Sequence, residues 1–226
     1  VRAGTVFTVY SADALMDAAS KVNSDTAFSS AVINIGKNID MNGKTWIPIG
    51  KDTAFAFKGA VNGNGHTVSN LTSLNYTAEN LGFVGVAGGG AAVKDLHLEN
   101  LDFKTSANCV GGIIANVTDT AQITGCTVQG SIYTSGKYAG GLVGVVSTSS
   151  SHLTVSNCAV DADICAVGHS ASGIVGGDTA SGYNTSDIST FPTVKADKVF
   201  LTGNYKAENR VSSFMGYNFC VNADFR

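Results

Sequence analysis

Apolar and polar positions alternate along much of this chain, and the alternation recurs. Three stretches read as strands with one face inward: Val93-Lys94-Asp95-Leu96-His97-Leu98, Ile123-Thr124-Gly125-Cys126-Thr127-Val128 and Val155-Ser156-Asn157-Cys158-Ala159-Val160. Each is followed by a glycine-rich apolar run without alternation. These runs are Val110-Gly111-Gly112-Ile113-Ile114-Ala115, Ala139-Gly140-Gly141-Leu142-Val143-Gly144-Val145-Val146 and Ser172-Gly173-Ile174-Val175-Gly176-Gly177. An earlier relative is Leu81-Gly82-Phe83-Val84-Gly85-Val86, and a weaker echo is Ser213-Phe214-Met215-Gly216-Tyr217. Gly82, Gly112, Gly141 and Gly173 stand 30, 29 and 32 residues apart. A repeat of that size means stacked units rather than one globular core. On this alignment the inward residues superpose as Leu96/Cys126/Cys158 and Leu98/Val128/Val160. Matching inward residues at a fixed period are what a parallel β-helix requires, because each coil lies about 4.8 Å above the last. The pattern predicts an all-β, right-handed single-stranded parallel β-helix of about five coils. Glycine in the second segment either lets the chain bend at a corner or lets it approach its neighbour closely.

The flanks read differently. Phe7-Thr8-Val9-Tyr10 predicts a short strand, and Ser11 to Val22 predicts the one convincing helix. Ser11 suits the N-cap, Asp13 the first turn, and Leu15, Ala18, Ala19 and Val22 share one face. A lone amphipathic helix ahead of a strand array covers the open end of a solenoid. Short strands are then expected at Ala31–Ile35, Asn38–Met41 and Thr45–Gly50, and Phe55–Gly59 leads into the Asn/Gly-rich Val61–Val68, which needs positive φ at several places and ends in another strand. After Gly177 the pattern loosens. Asp178 to Thr190 is polar and loop-like, Val194–Leu201 reads as one more coil strand, and Phe214 to Phe225 is aromatic-rich and atypical, as a terminal repeat that closes a stack must be atypical. The organisation is one domain over 1–226: strand and cap helix over 1–30, lead-in and repeats over 31–177, irregular coil and C-terminal cap over 178–226.

With these residues in view, the chain resembles bacterial surface proteins carrying the GLUG motif, Gly-Leu-apolar-Gly. Gly141-Leu142-Val143-Gly144 matches fully, Gly82-Phe83-Val84-Gly85 and Gly173-Ile174-Val175-Gly176 match by class, and Gly112-Ile113-Ile114-Ala115 departs at its last position. The segment from Asn38 through Trp46-Ile47-Pro48-Ile49-Gly50, Phe57-Lys58-Gly59 and Asn62-Gly63-Asn64-Gly65-His66-Thr67-Val68 is similar to that family's lead-in. The likeness covers roughly residues 28 to 177. It implies a secreted or cell-surface, adhesin-like protein of gut bacteria such as the Bacteroidetes. Some GLUG segments belong to large secreted metallopeptidases, but no HExxH occurs here to carry that activity over. Asp-Thr-Ala occurs at 25–27, 52–54, 119–121 and 178–180. The tripeptide resembles the O-glycosylation signal of exported Bacteroidetes proteins, which would make Thr26, Thr53, Thr120 and Thr179 acceptors. The plainer reading is that Asp-Thr suits turns.

Composition narrows the functional classes. Of 226 residues 14% are charged, 27 are Gly and 2 are Pro, which fits short strands and tight turns. A net charge of −3, with arginines only at 2, 210 and 226, gives no footprint for nucleic acid. No apolar run approaches the roughly 18 residues needed to span a bilayer. No signal peptide is visible, and the chain opens at Val1, which is compatible with an earlier targeting segment. Cys109, Cys126, Cys158, Cys165 and Cys220 form no CxxC pair and no zinc-site spacing, so no metal or cofactor is expected. Cys126 and Cys158 occupy matching places and read as small apolar filler.

Candidate chemistry lies outside the coils. Glu99, Gln129 and Asp161 fall in one outward column, with Asp102, Ser131 and Asp163 in a neighbouring one. Glu99 and Asp161, two coils apart, would be about 9.6 Å from each other. That suits an acid/base pair, a weak calcium site or an ordinary solvated face. Lys104 and Lys137 lie in the right repeats to serve as a base. The four histidines are scattered, and no Gly-x-Ser-x-Gly elbow or nucleotide loop occurs in the right context. Tyr133, Tyr138 and Tyr183 are the candidate glycan platforms, whereas Trp46 reads as core. The leading expectation is a non-catalytic adhesion or glycan-binding module whose partner is a host or dietary glycan or a host surface protein. A polysaccharide lyase or glycoside hydrolase on the Glu99/Asp161/Asp163 face, and a structural stalk, remain the alternatives.

Overall fold

The computed structural model describes residues 4–73, 76–179 and 191–216, with 222–225 as backbone only. Three parallel sheets wrap one apolar core in about five turns of a β-solenoid. The long sheet runs in the order Val6–Val9, Val32–Ile35, Ala60–Ser69, Ala91–Thr105, Thr120–Thr124, His152–Ala166, Thr193–Thr202 and Asn222–Phe225. Thr127–Thr134 continues the coil begun by Thr120–Thr124, and like it pairs with Ala91–Thr105 on one side and His152–Ala166 on the other. A first short sheet stacks Asn80–Leu81, Cys109–Gly111, Tyr138–Gly140, Ser170–Ser172 and Arg210–Ser212. A second stacks Val84–Ala87, Ile114–Val117, Val143–Val146 and Val175–Asp178. Each full coil is therefore a long bent strand, a turn, a short strand, a glycine corner and a second short strand.

The register explains the sequence period. Val128 pairs with Leu98 on one side and Val160 on the other, and Ile132 with Phe103 and Ile164. All six are buried, so each coil places its apolar side chains on those of the coil before. Leu96, Cys126 and Cys158 are buried at the neighbouring level, and both cysteines are free thiols. They fill core volume as small apolar side chains. A bulge interrupts the ladder between Val128 and Gly130, whose partners are Leu98 and Leu101. Glu99 and Asn100 thus share the space opposite Gln129, with Asn100 at φ 51°.

The motif glycines resolve the choice left open by the sequence. None of Gly82, Gly112, Gly141 and Gly173 has positive φ. A Cβ on Gly112 would lie 2.3 Å from the Gly141 carbonyl oxygen, and one on Gly141 the same distance from the Gly173 oxygen. The corner needs glycine because consecutive coils approach backbone to backbone there. Positive φ falls elsewhere, at Asn64 and Gly65 in the lead-in as expected, and at Asn70, Asp95, Asn100 and Asn157.

The helix forms as Ala12–Val22, with Ser11 Oγ accepting from the Ala14 N–H at 3.2 Å. Leu15, Ala18, Ala19 and Val22 are buried in one cluster with Val9, Ile33 and Ile35, closing the N-terminal end of the core. Asn23, just beyond the helix, donates from Nδ2 to the Pro48 carbonyl at 2.8 Å and accepts the Lys51 N–H at 2.9 Å. Trp46 is fully buried, stacks on Phe83 at 5.2 Å and donates from Nε1 to the Gly82 carbonyl at 3.0 Å.

Two expectations are corrected. Thr45–Gly50 is not a continuous strand. It makes only the isolated bridges Thr45–Thr72 and Ile49–Val84, and Pro48 has no N–H to extend a ladder. Asp178 does not begin a loop, because it is the buried last residue of Val175–Asp178.

Candidate functional site: the outward half of the long sheet

Three outward columns lie side by side on the second half of the long strands. The first carries Asp40, Ser69 and Glu99, then Gln129, Asp161 and Thr202. The second carries Thr72, Asp102, Ser131 and Asp163. The third carries Lys104, Tyr133, Cys165 and Lys206. Neighbours within a column are about 4.8 Å apart, and alternate residues along a strand about 6.6 Å. The structure thus brings Tyr133 onto the face that holds Glu99, Asp102, Asp161 and Asp163, four residues the sequence had already placed in two columns.

Most of these acids are tied to the following coil. Asp161 accepts from Thr202 Oγ1 at 2.7 Å. Asp163 Oδ1 accepts from the Asn204 N–H at 3.1 Å and from Asn204 Nδ2 at 2.8 Å. Asp40 Oδ1 accepts from Asn70 Nδ2 at 2.8 Å and the Asn42 N–H at 2.9 Å, and these bonds hold its carboxyl below the usual carboxylate range. The side chains of Glu99 and Asp102 accept no hydrogen bond among the described residues and are exposed. Tyr133 is 37% exposed. It edges a shallow cavity of about 370 Å³ with Cys165, Val167, Lys206 and Glu208. The chemistry available here is hydrogen bonding to hydroxyls from a row of carboxylates, amide and hydroxyl groups, beside an aromatic ring that can stack on an apolar sugar face.

The other candidates separate from this face. Tyr138 begins a strand of the first short sheet, and its ring packs on His169 of the next coil at 5.3 Å. Burial, with Arg210 and Lys137 nearby, holds the His169 imidazole below its ordinary pKa. Lys137 belongs to that neighbourhood, and Lys104 alone of the two lysines reaches the acidic face. Tyr183 lies outside the described residues. His97 faces outward as expected, with Nδ1 2.9 Å from Thr127 Oγ1.

Asp25 and Asp52 N-cap the 3-10 turns Thr26–Phe28 and Thr53–Phe55, each accepting from the N–H two residues on. The turn reading of Asp-Thr-Ala therefore holds at both places. Thr26, Thr53 and Thr179 are exposed, whereas Thr120 is half-buried and its hydroxyl points to Asp119. Among the described residues no group of three or more His, Cys, Asp or Glu could hold a metal ion. Burial, reinforced by Glu79, pushes the Cys109 thiol up to about 12.

A groove at the N-terminal end escaped the sequence reading. Two cavities of about 440 and 660 Å³ meet at Ile47 and Lys51. Met16, Asp17 and Ser20 of the cap helix wall one side, and Tyr76 to Asn80 with Asp52 wall the other. Ile47 is 52% exposed at its floor. The signal was parity: with Trp46 inward, Ile47 had to face out.

No family model and no solved structure matches the chain. Halomucin of Haloquadratum walsbyi (strain DSM 16790 / HBSQ001) is 31% identical over 137 residues, which cover 54% of this chain and 2% of that protein. Among the described residues no helix is long and apolar enough to cross a membrane.

Proposed function

We propose that this chain is a non-catalytic adhesion module of a secreted or cell-surface protein, binding glycans on the outward half of its long sheet. The observation that carries the reading is the placement of Tyr133 beside the Asp102/Ser131/Asp163 and Gln129/Asp161 columns on one rigid sheet. A rigid face loses little freedom when a chain-like ligand lies along it. The hydrogen bonds of Asp161 to Thr202 and of Asp163 to Asn204 hold these carboxylates in place, which supports a fixed polar surface for binding. Similarity to a protein named halomucin, together with the GLUG-like corners, supports an exported setting. In that setting Thr26, Thr53 and Thr179 offer exposed hydroxyls for O-glycosylation.

The test is an array of host and dietary polysaccharides, read both for retention and for new reducing or unsaturated ends. Retention without product is expected, weakened about tenfold or more by Tyr133→Ala. Appearance of product, abolished by Glu99→Gln or Asp161→Asn, would overturn the reading in favour of a lyase or hydrolase. Neither retention nor product would leave a structural stalk.

A further inference from the structure

The two ends of the solenoid carry complementary features that the glycan-binding face does not use. At the N-terminal end, the Ile47 groove has an apolar floor and a rim bearing Asp17, Asp52 and Glu79. Its one lysine, Lys51, already lies over the Phe55 ring, 4.9 Å from the centroid. The groove is held open by fixed parts. Asn23, itself buried, ties the end of the helix to Pro48 and Lys51, and Tyr76 Oη donates to the Asn80 carbonyl at 2.9 Å across the opposite wall. A preformed apolar hollow with a few placed charges is the usual form of a binding site.

At the other end, the strand Thr193–Thr202 turns Phe200 outward. It is 75% exposed, the most exposed large apolar side chain among the described residues. Lys198 stands beside it, and its nearest carboxylate, Asp197, is 3.9 Å away with both side chains in solvent. The segment 191–216 carries Lys195, Lys198, Lys206 and Arg210 against only Asp197 and Glu208. One end thus presents an aromatic knob beside a lysine on a segment of net positive charge, and the other an apolar hollow rimmed by carboxylates.

We propose that copies of this chain associate head to tail, with Phe200 of one copy seated on Ile47 in the groove of the next and Lys198 facing the Asp17, Asp52 and Glu79 rim. Knob and hollow lie on different coils of the same molecule, so the contact is heterologous and extends into an open row instead of closing as a two-fold dimer. Part of the attraction is between exposed charges, so added salt weakens it.

The experiment is sedimentation velocity on the 226-residue chain over a broad concentration range, with the variants Ile47→Ser and Phe200→Ser. Both side chains are largely in solvent, and matching circular dichroism and thermal melts confirm that the variants stay folded. The wild-type protein is expected to grow in mass with concentration, less so in high salt. Each variant alone should lose about tenfold or more in association constant. Mixed one to one, the variants should form a dimer that grows no further, because each supplies the half the other lacks. A wild-type chain that remains monomeric overturns the proposal. So does a variant that associates like wild type, or a mixture of the two that fails to pair. None of these readouts involves Tyr133 or a glycan, so the proposal stands or falls separately from the adhesion reading.

Discussion

The glycine corner and the outward half of the long sheet belong to the same repeat, yet they constrain the sequence by opposite means. At the corner, backbone meets backbone. The positions of Gly112 and Gly141 leave no room for a Cβ, because the carbonyl of the next coil stands 2.3 Å from where it would sit. On the outward half, coils are joined by side chains, and several polar types do the same work. Asn70 donates to Asp40, Thr202 to Asp161 and Asn204 to Asp163. The corner therefore recurs almost letter by letter, whereas the face varies while keeping its polarity. The variable region is also where a ligand can be selected without disturbing the stack.

The largest effect should come from placing one methyl group at the corner. In Gly141→Ala the new Cβ meets the Gly173 oxygen and, at 2.6 Å, Val160 Cγ1, so two coils must part. We expect a loss of roughly 3 kcal/mol or more in a denaturant titration. Ser131→Ala on the outward face should stay within about 0.5 kcal/mol of wild type. If the two variants melt alike, the contrast between the regions fails. The Ala115 coil already shows how the pattern relaxes: it carries a methyl at the last motif position, where Gly144 and Gly176 stand in the next two coils.

A smaller effect tests how the corner is joined to the lead-in. Trp46 donates from its indole to the carbonyl of Gly82, the first corner glycine. Trp46→Phe keeps the stacking partner for Phe83 but leaves that carbonyl without its buried donor, at a cost of about 1 to 3 kcal/mol. The same titration checks it, and an unchanged midpoint would show that the indole serves only as volume.

Much of this was legible in the sequence because a solenoid repeats its contacts. The spacing of Gly82, Gly112, Gly141 and Gly173 gave the coil length, and parity gave the columns, so Asp102, Ser131 and Asp163 fall in register as expected. The cap helix was legible from Ser11 and its apolar face, which are local signals. What escaped was contact between unlike segments. The Ile47 groove joins residues near 16–24, 47–53 and 76–80, which share no period, so no alignment of repeats could assemble it. The neighbour of Tyr138 was hidden for the same reason. The sequence places it at a strand end, and its ring packs on His169 from the following coil. The strand expected at Thr45–Gly50 failed because its residues are apolar enough for one, while Pro48 interrupts the ladder.

The smallest effect is the most specific test of the outward ladder. The Asp40 carboxylate lies below the usual carboxylate range because Asn70 and Asn42 donate to its charged form, with Asn70 the larger cause. A group with a lowered folded-state pKa stabilises the fold above its unfolded-state value, and that contribution is lost as pH falls through the folded-state value. The contribution of Asp40 to the melting temperature should therefore be constant with pH near neutrality and fall away in acid, within the range below an ordinary aspartate. Asp40→Asn retains an oxygen that can accept from Asn70 but has no proton to take up. Its melting curve should run parallel to wild type at neutral pH and fall less steeply in acid. Asp40→Ala, which loses the acceptor as well, should be the less stable of the two at every pH. If Asp40→Asn and wild type show the same acid slope, the ladder holds the coils by shape alone. The outward face would then have no electrostatic part in the fold, and its carboxylates would be free to vary with the ligand.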